Sequence, residues 1–151
     1  MSEVKYLISD FLSFDNKKIF FHSWTSDNSR SNLVIIHGYS EHGARYENFA
    51  RFMCKGGFDV FAIDLRGHGI SEGVRAHVNS FDEYFEDLRI FIKIIKKKYK
   101  KNIFALGHSM GGLILTDYMI KLSTDVPIKA SVLTSPLFKL KMKVPLWAPI
   151  L

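Results

Sequence analysis

Residues Asn102–Gly112 read NIFALGHSMGG. The apolar run Ile103–Leu106 predicts a buried strand, and the spacing of Met110–Leu122 predicts a helix. Between them stands Gly107-His108-Ser109-Met110-Gly111, a serine with a glycine two residues away on each side. A serine hydroxyl is a poor nucleophile until a base lies within hydrogen-bond reach and donors wait for the oxyanion it creates. A sharp strand-to-helix turn serves both needs, because the side chain stands proud of the sheet. The glycines let strand and helix approach without Cβ clashes. The helix start offers unpaired N–H groups, and that of Met110 is nearest to Ser109. The plainer alternative is a tight turn with Ser109 as an N-cap.

The elements on either side alternate. Tyr6–Phe14 and Lys18–Trp24 read as two strands with Asp15-Asn16 as their turn. Leu33–Ile36 is a continuous apolar run, the pattern of a strand buried on both faces, and Phe58–Leu65 reads as another buried strand. Arg45–Lys55 places Tyr46, Phe49, Ala50 and Met53 on one helical face, with Gly56-Gly57 as the stop. Ser80 and Glu83 form a capping-box pair. Behind them Phe81, Tyr84, Phe85, Leu88, Phe91, Ile92, Ile95 and Tyr99 recur at helical steps and read as core. Ala130–Thr134 is a further strand ending at Pro136. This order predicts a mostly parallel sheet with helices on both faces and an antiparallel hairpin at one edge.

The 151 residues carry 47% hydrophobic and 24% charged residues, enough apolar surface for one folded core. A lone Cys54 excludes an internal disulfide framework. The N-terminus, with Glu3 and Asp10 and no long apolar block, lacks the shape of a secretory signal. A cytoplasmic location is expected. The net charge of +6 gathers in Lys93–Lys101 and Lys139–Lys143. Lysines in a last helical turn suit the helix dipole, and no nucleic-acid motif accompanies them, so no nucleic-acid partner is expected.

Two more segments follow predicted strands. HGYSEHGARY, His37–Tyr46, opens with a His-Gly turn in which His37 reads as a structural histidine holding the loop. The spacing of His37 and His42 is not that of a zinc helix, and no metal is expected. DLRGHGISEG, Asp64–Gly73, places glycines at the C-terminal edge of a strand, where open sheets of this kind hold their sites. Asp64, Arg66, His68 and Glu72 read as braces of that loop. His108 reads as a packing residue, badly placed to act as a base.

HGYSEHGARY, DLRGHGISEG and GHSMGG, in this order, resemble the monoacylglycerol lipase and lysophospholipase type of α/β-hydrolase. VNSFDEYFEDL also resembles the segment leading into the helix before the nucleophile strand. The resemblance covers about Leu33–Leu140. It implies a nucleophilic Ser109, an oxyanion hole made by the backbone N–H groups of Tyr39 and Met110, and no cofactor. It also implies hydrolysis of a small-molecule acyl ester, a glycerolipid or lysophospholipid, through an acyl-serine intermediate. The triad order in this fold is Ser, then Asp or Glu, then His. No histidine follows Ser109 in the 151 residues. The base and its acid are therefore expected beyond Leu151, which makes the chain the N-terminal half of such a hydrolase. Residues 1–136 are expected to be core domain and 137–151 the start of a cap. The isolated chain is expected to be inactive and prone to aggregate.

Acyltransferase, peptidase and haloperoxidase chemistry use the same scaffold, and a non-catalytic binding module is the alternative outside enzymes. The alternation of Lys139, Lys141 and Lys143 before Trp147 and Ile150 suggests a peripheral membrane contact. An ordinary edge strand is the plainer reading.

Overall fold

The computed structural model describes residues 3–122 and 128–139. Most of the expected cap start, 140–151, lies outside the described residues, as does the proposed lipid contact there.

Among the described residues six strands form one sheet: β1 (Lys5–Leu12), β2 (Lys18–Thr25), β3 (Ser31–Ile36), β4 (Phe58–Ile63), β5 (Asn102–His108) and β6 (Ile128–Thr134). Their spatial order is β1-β2-β4-β3-β5-β6. β1 runs antiparallel to β2 and β2 antiparallel to β4, while β4, β3, β5 and β6 are mutually parallel. The expected edge hairpin is present; its first strand starts one residue earlier and ends two residues earlier than Tyr6–Phe14, and its second runs one residue past Trp24. Ser13–Lys17 form the turn, and Asn16 takes a left-handed φ of 63°.

Among the described residues three α-helices cover the sheet: α1 (Glu47–Lys55), α2 (Asp82–Tyr99) and α3 (Met110–Leu122). The first turn of the helix expected from Arg45 is a separate 3-10 turn, Gly43–Tyr46. Alternation along the central strands divides the core. Val34, Ile36, Phe61 and Ile63 point to the α2 and α3 side, with Leu88, Phe91 and Ile114. Leu33, Ile35, Val60 and Ala62 point to the α1 side, with Trp24, Ala50 and Cys54. Each central strand is apolar on both faces because each face meets a helix layer.

Two details of α2 depart from the sequence reading. Ser80 Oγ accepts from the Asp82 N–H at 3.3 Å, and the Glu83 carboxylate accepts from the Asn79 N–H at 3.1 Å, so the two cap bonds are not reciprocal between Ser80 and Glu83. Phe81 is exposed rather than core, because it precedes the first helical turn.

Polar residues fasten α2 to the strand ends. The Arg66 side chain is 1% exposed and meets Asp87, which is wholly buried, with Nε and Nη2 at 2.9 and 2.8 Å. It also meets Asp15 at 2.6 Å and Glu83 at 3.2 Å. Ser13 adds a hydroxyl between Asp87 and Arg66. The guanidinium holds the Asp15 carboxyl well below the usual carboxylate range. Removing one partner of such a network strands a buried charge. Arg66→Leu is therefore expected to lower unfolding stability by about 3–5 kcal/mol, read from urea denaturation.

Candidate active site

The C-terminal edge of the parallel strands brings three loops together. The first is the turn from β5 into α3. Ser109 sits there with φ at 50°, a left-handed conformation that a β-carbon disfavours. The surroundings hold it. Its N–H donates to Thr134 O at 3.0 Å, and its carbonyl accepts from Gly112 and Leu137 N–H at 3.0 Å each. The glycines are there because nothing larger fits. A Cβ on Gly111 would lie 2.2 Å from Ile36 O, and one on Gly107 would lie 2.7 Å from Gly111 O.

The second loop, His37–Tyr46, leaves β3 directly beside this turn. A Cβ on Gly38 would lie 3.1 Å from Ser109 Cβ and 3.1 Å from His108 Cδ2. His37 is fully buried and anchors the loop, as the sequence suggested. Its Nδ1–H donates to Gly38 O at 2.6 Å, and its Nε2 accepts from the Leu65 N–H at 3.0 Å. Burial pushes its pKa down to about 4, so the ring stays neutral and keeps this bond pattern. Glu41 is a second anchor, which the sequence reading left without a role. Its carboxylate accepts from the Gly38 N–H at 3.0 Å and pairs with Arg45 at 3.3 Å. Its distance of three residues from Gly38 was the available signal, an acidic side chain folding back onto its own turn.

The third loop follows β4. Asp64 ties it to the second: Oδ1 accepts from the Gly43 N–H at 2.6 Å and Oδ2 from the Ile70 N–H at 2.9 Å. His22 approaches the same carboxylate at 3.4 Å. His68 donates Nδ1–H to Arg66 O at 2.9 Å, and the Glu72 carboxylate accepts from the Lys18 N–H at 2.8 Å. All four residues read as braces make such contacts.

Ser109 is half-buried and Met110 buried at the start of α3, while Tyr39 lies in the loop beyond Gly38. Neither the Tyr39 nor the Met110 N–H is taken by a turn, loop or cap hydrogen bond among the described residues. No described histidine hydrogen-bonds the Ser109 hydroxyl. His108 turns instead to Thr134, with Nδ1 at 3.0 Å from Oγ1 and 3.1 Å from the carbonyl. It is a rim residue rather than a packed one. Beside it opens a cavity of about 330 Å³, walled by Glu41, Arg45, Tyr46, Phe49, Leu106, His108 and Thr134. Among the described residues no group of His, Cys, Asp and Glu is placed to hold a metal ion.

The family model described as "Serine aminopeptidase, S33" matches residues 27–151. The chain belongs to this family of α/β-hydrolases. It is 39% identical over 103 residues to a monoacylglycerol lipase of Mycolicibacterium smegmatis, covering 67% of this chain and 37% of that one. It is 34% identical over 122 residues to phospholipase YtpA of Bacillus subtilis, covering 81% of this chain and 46% of the relative. An esterase of Pyrococcus furiosus superposes with a TM-score of 0.72 at 28% identity, over 88% of this chain and 53% of that structure. The chain thus spans less than half the length of these two sequence relatives and about half of this structure. Its fold is an α/β-hydrolase fold, and its relatives are of the monoacylglycerol lipase and phospholipase type.

Two outcomes test the packing around the serine. Gly111→Ala must push α3 away from β3, and a loss of about 1–3 kcal/mol in urea unfolding is expected. His37 gives the second. Unfolded, it takes up a proton near pH 6.5; folded, only near pH 4. Acid therefore favours the unfolded chain, and stability should fall from about pH 6.5 down to about pH 4, by about 3 kcal/mol. His37→Gln should lose that part of the slope in the same titration.

Proposed function

We propose that Ser109 is the nucleophile of a serine hydrolase that cleaves carboxylic esters of lipid-like acyl glycerols or lysophospholipids. The observation that carries this reading is the left-handed Ser109 on a strand-to-helix turn with no room for side chains at Gly107 and Gly111. A strained serine persists where surrounding structure over-determines it, and such strain gathers at functional sites. The relatives' names supply the substrate class, and the cleft walled by Glu41, Arg45, Tyr46 and His108 offers polar groups to an alcohol or head group.

In the proposed reaction Ser109 Oγ attacks the ester carbonyl carbon and gives its proton to a base. The oxyanion accepts from the N–H groups of Tyr39 and Met110. Collapse of the tetrahedral intermediate breaks the ester C–O bond and protonates the leaving alcohol. Water then cleaves the acyl-serine. The base and its orienting acid belong to chain outside residues 1–151, in keeping with the Ser, acid, His order of the fold. Residues 1–136 act as the core that presents the nucleophile, and 137–151 lead into a cap. The reaction uses no cofactor and takes place in the cytoplasm.

A fluorophosphonate probe on the protein expressed from its native gene tests the reading. Labelling at Ser109, lost in Ser109→Ala, is the expected result, together with an ester turnover lowered by at least about a thousandfold in that variant. A native protein that leaves Ser109 unlabelled would instead favour a binding module on a hydrolase scaffold.

A further inference from the structure

β1 lies at the edge of the sheet, with β2 on one side and no strand on the other among the described residues. Its backbone groups divide between the two sides. Lys18 and Phe20 of β2 turn theirs away from β1: Lys18 O accepts from the Glu72 N–H, Phe20 O from the Asp64 N–H, and the Phe20 N–H donates to Ser71 Oγ. Ile19, Phe21 and Ser23 therefore serve β1, and their register partners are Phe11, Ser9 and Leu7. The alternate residues Tyr6, Ile8 and Asp10 present N–H and carbonyl to the outside. Among the described residues no turn or loop backbone hydrogen bond takes these groups up.

The side chains of this stretch are exposed as well. Leu7 is 63%, Ile8 48% and Tyr6 38% exposed. Tyr6 is nevertheless held in place, its hydroxyl 2.7 Å from His22 Nδ1 and its ring 5.2 Å from that of Trp24. Sheet edges are commonly blocked by proline, by a bulge or by charge. From Tyr6 to Ser9 β1 has none of these, and its register with β2 runs unbroken.

We propose that β1 pairs with β1 of a second copy of this chain, antiparallel about a two-fold axis at Leu7, joining two sheets into one. The outward backbone groups restrict the register, because the inter-chain bonds must run between even-numbered residues. Setting Tyr6 opposite Ile8 of the copy also sets Leu7 opposite Leu7. It is the one such register that places all three exposed apolar side chains against one another. Setting Ile8 opposite Ile8 instead leaves Leu7 against Ser9 and Tyr6 against Asp10. Charge agrees with the pairing. Antiparallel strands bring the Lys5 end of each copy beside the Asp10 end of the other, and no like charges stand opposite. A seam one strand wide is smaller than the ~1,600 Å² buried by a standard stable interface, so this dimer dissociates on dilution.

The pairing goes beyond the hydrolase reading and does not depend on it. β1 and β5 are four places apart in the sheet, about 19 Å, which keeps Ser109 clear of the seam.

Sedimentation equilibrium of the protein expressed from its native gene tests this. The mass is expected to fall from twice that of the chain to that of the chain on dilution. Leu7→Lys sets two like charges opposite each other at the axis and should weaken dimerisation at least about tenfold. Ile8→Pro removes an outward N–H and no bond to β2, and should act likewise. Circular dichroism checks the folding of both. Phe52, 69% exposed on α1, is the control, and Phe52→Ser should change nothing.

Mild oxidation reads the register and carries the test if both disruptive variants unfold. Leu7→Cys should cross-link to its copy, because residues opposite each other at a non-hydrogen-bonded position lie about 4.5 Å apart. Ile8→Cys should not, because its counterpart lies diagonally at about 7–8 Å. Native Cys54 is buried and stays out of the reaction. A monomer at every concentration, a dimer that survives both Leu7→Lys and Ile8→Pro, a dimer lost in Phe52→Ser, or cross-linking by Ile8→Cys and not by Leu7→Cys overturns the proposal. Probe labelling of Ser109 is expected to be undiminished in Leu7→Lys, so the hydrolase reading stands or falls separately.

Discussion

Helix α3 and strand β3 meet with no space for a side chain between them. Gly111 faces the carbonyls of Ile36 and His37 so closely that a methyl group there would overlap both. Everything at the candidate site depends on this contact. It lets the chain leave β5, turn within three residues and enter a helix that lies against the sheet. The serine at the corner is left with a left-handed backbone and its side chain clear of the packed layers. β6 completes the grip, because Thr134 and Leu137 bond the same residue from the far side.

A strained corner needs firm neighbours, and the loops around it are firm for a polar reason. They carry backbone N–H groups at the ends of buried strands, where each must find an acceptor. Asp64 and Glu41 supply carboxylates, and His37 supplies a ring nitrogen. The cost is a set of buried ionisable groups. It is met differently at each. His37 stays neutral, since its surroundings disfavour the cation. Arg66 stays charged, with three carboxylates close around it. The first choice makes the loop after β3 sensitive to acid, and the second ties α2 to the β1–β2 turn.

Much of this was legible in the residues. Leu33–Ile36 declared itself a buried strand by being apolar without alternation, and the strand read at Phe58–Leu65 is present but ends at Ile63. The α2 stripe declared a helix, and the two glycines around Ser109 declared a close strand-to-helix turn. Failures fell where a side chain's partner is distant in sequence. Asp87 reads as a polar position on α2, yet it is the buried partner of Arg66, twenty-one residues away. Phe81 fits the stripe but stands ahead of the helix. Thr134 and His108 are ordinary in sequence and meet only because β5 and β6 are parallel neighbours.

The sequence by itself determined the fold class and the position of the serine turn. Both follow from local physics: the period of apolar residues, and the need for glycine where backbones crowd. Only the tertiary structure decided which N–H groups remain untaken, which carboxylates are spent on loops and which apolar tips face outward. Those are matters of pairing across the sheet. A side chain's protonation and exposure depend on what the fold brings beside it, which its own stretch of sequence does not contain.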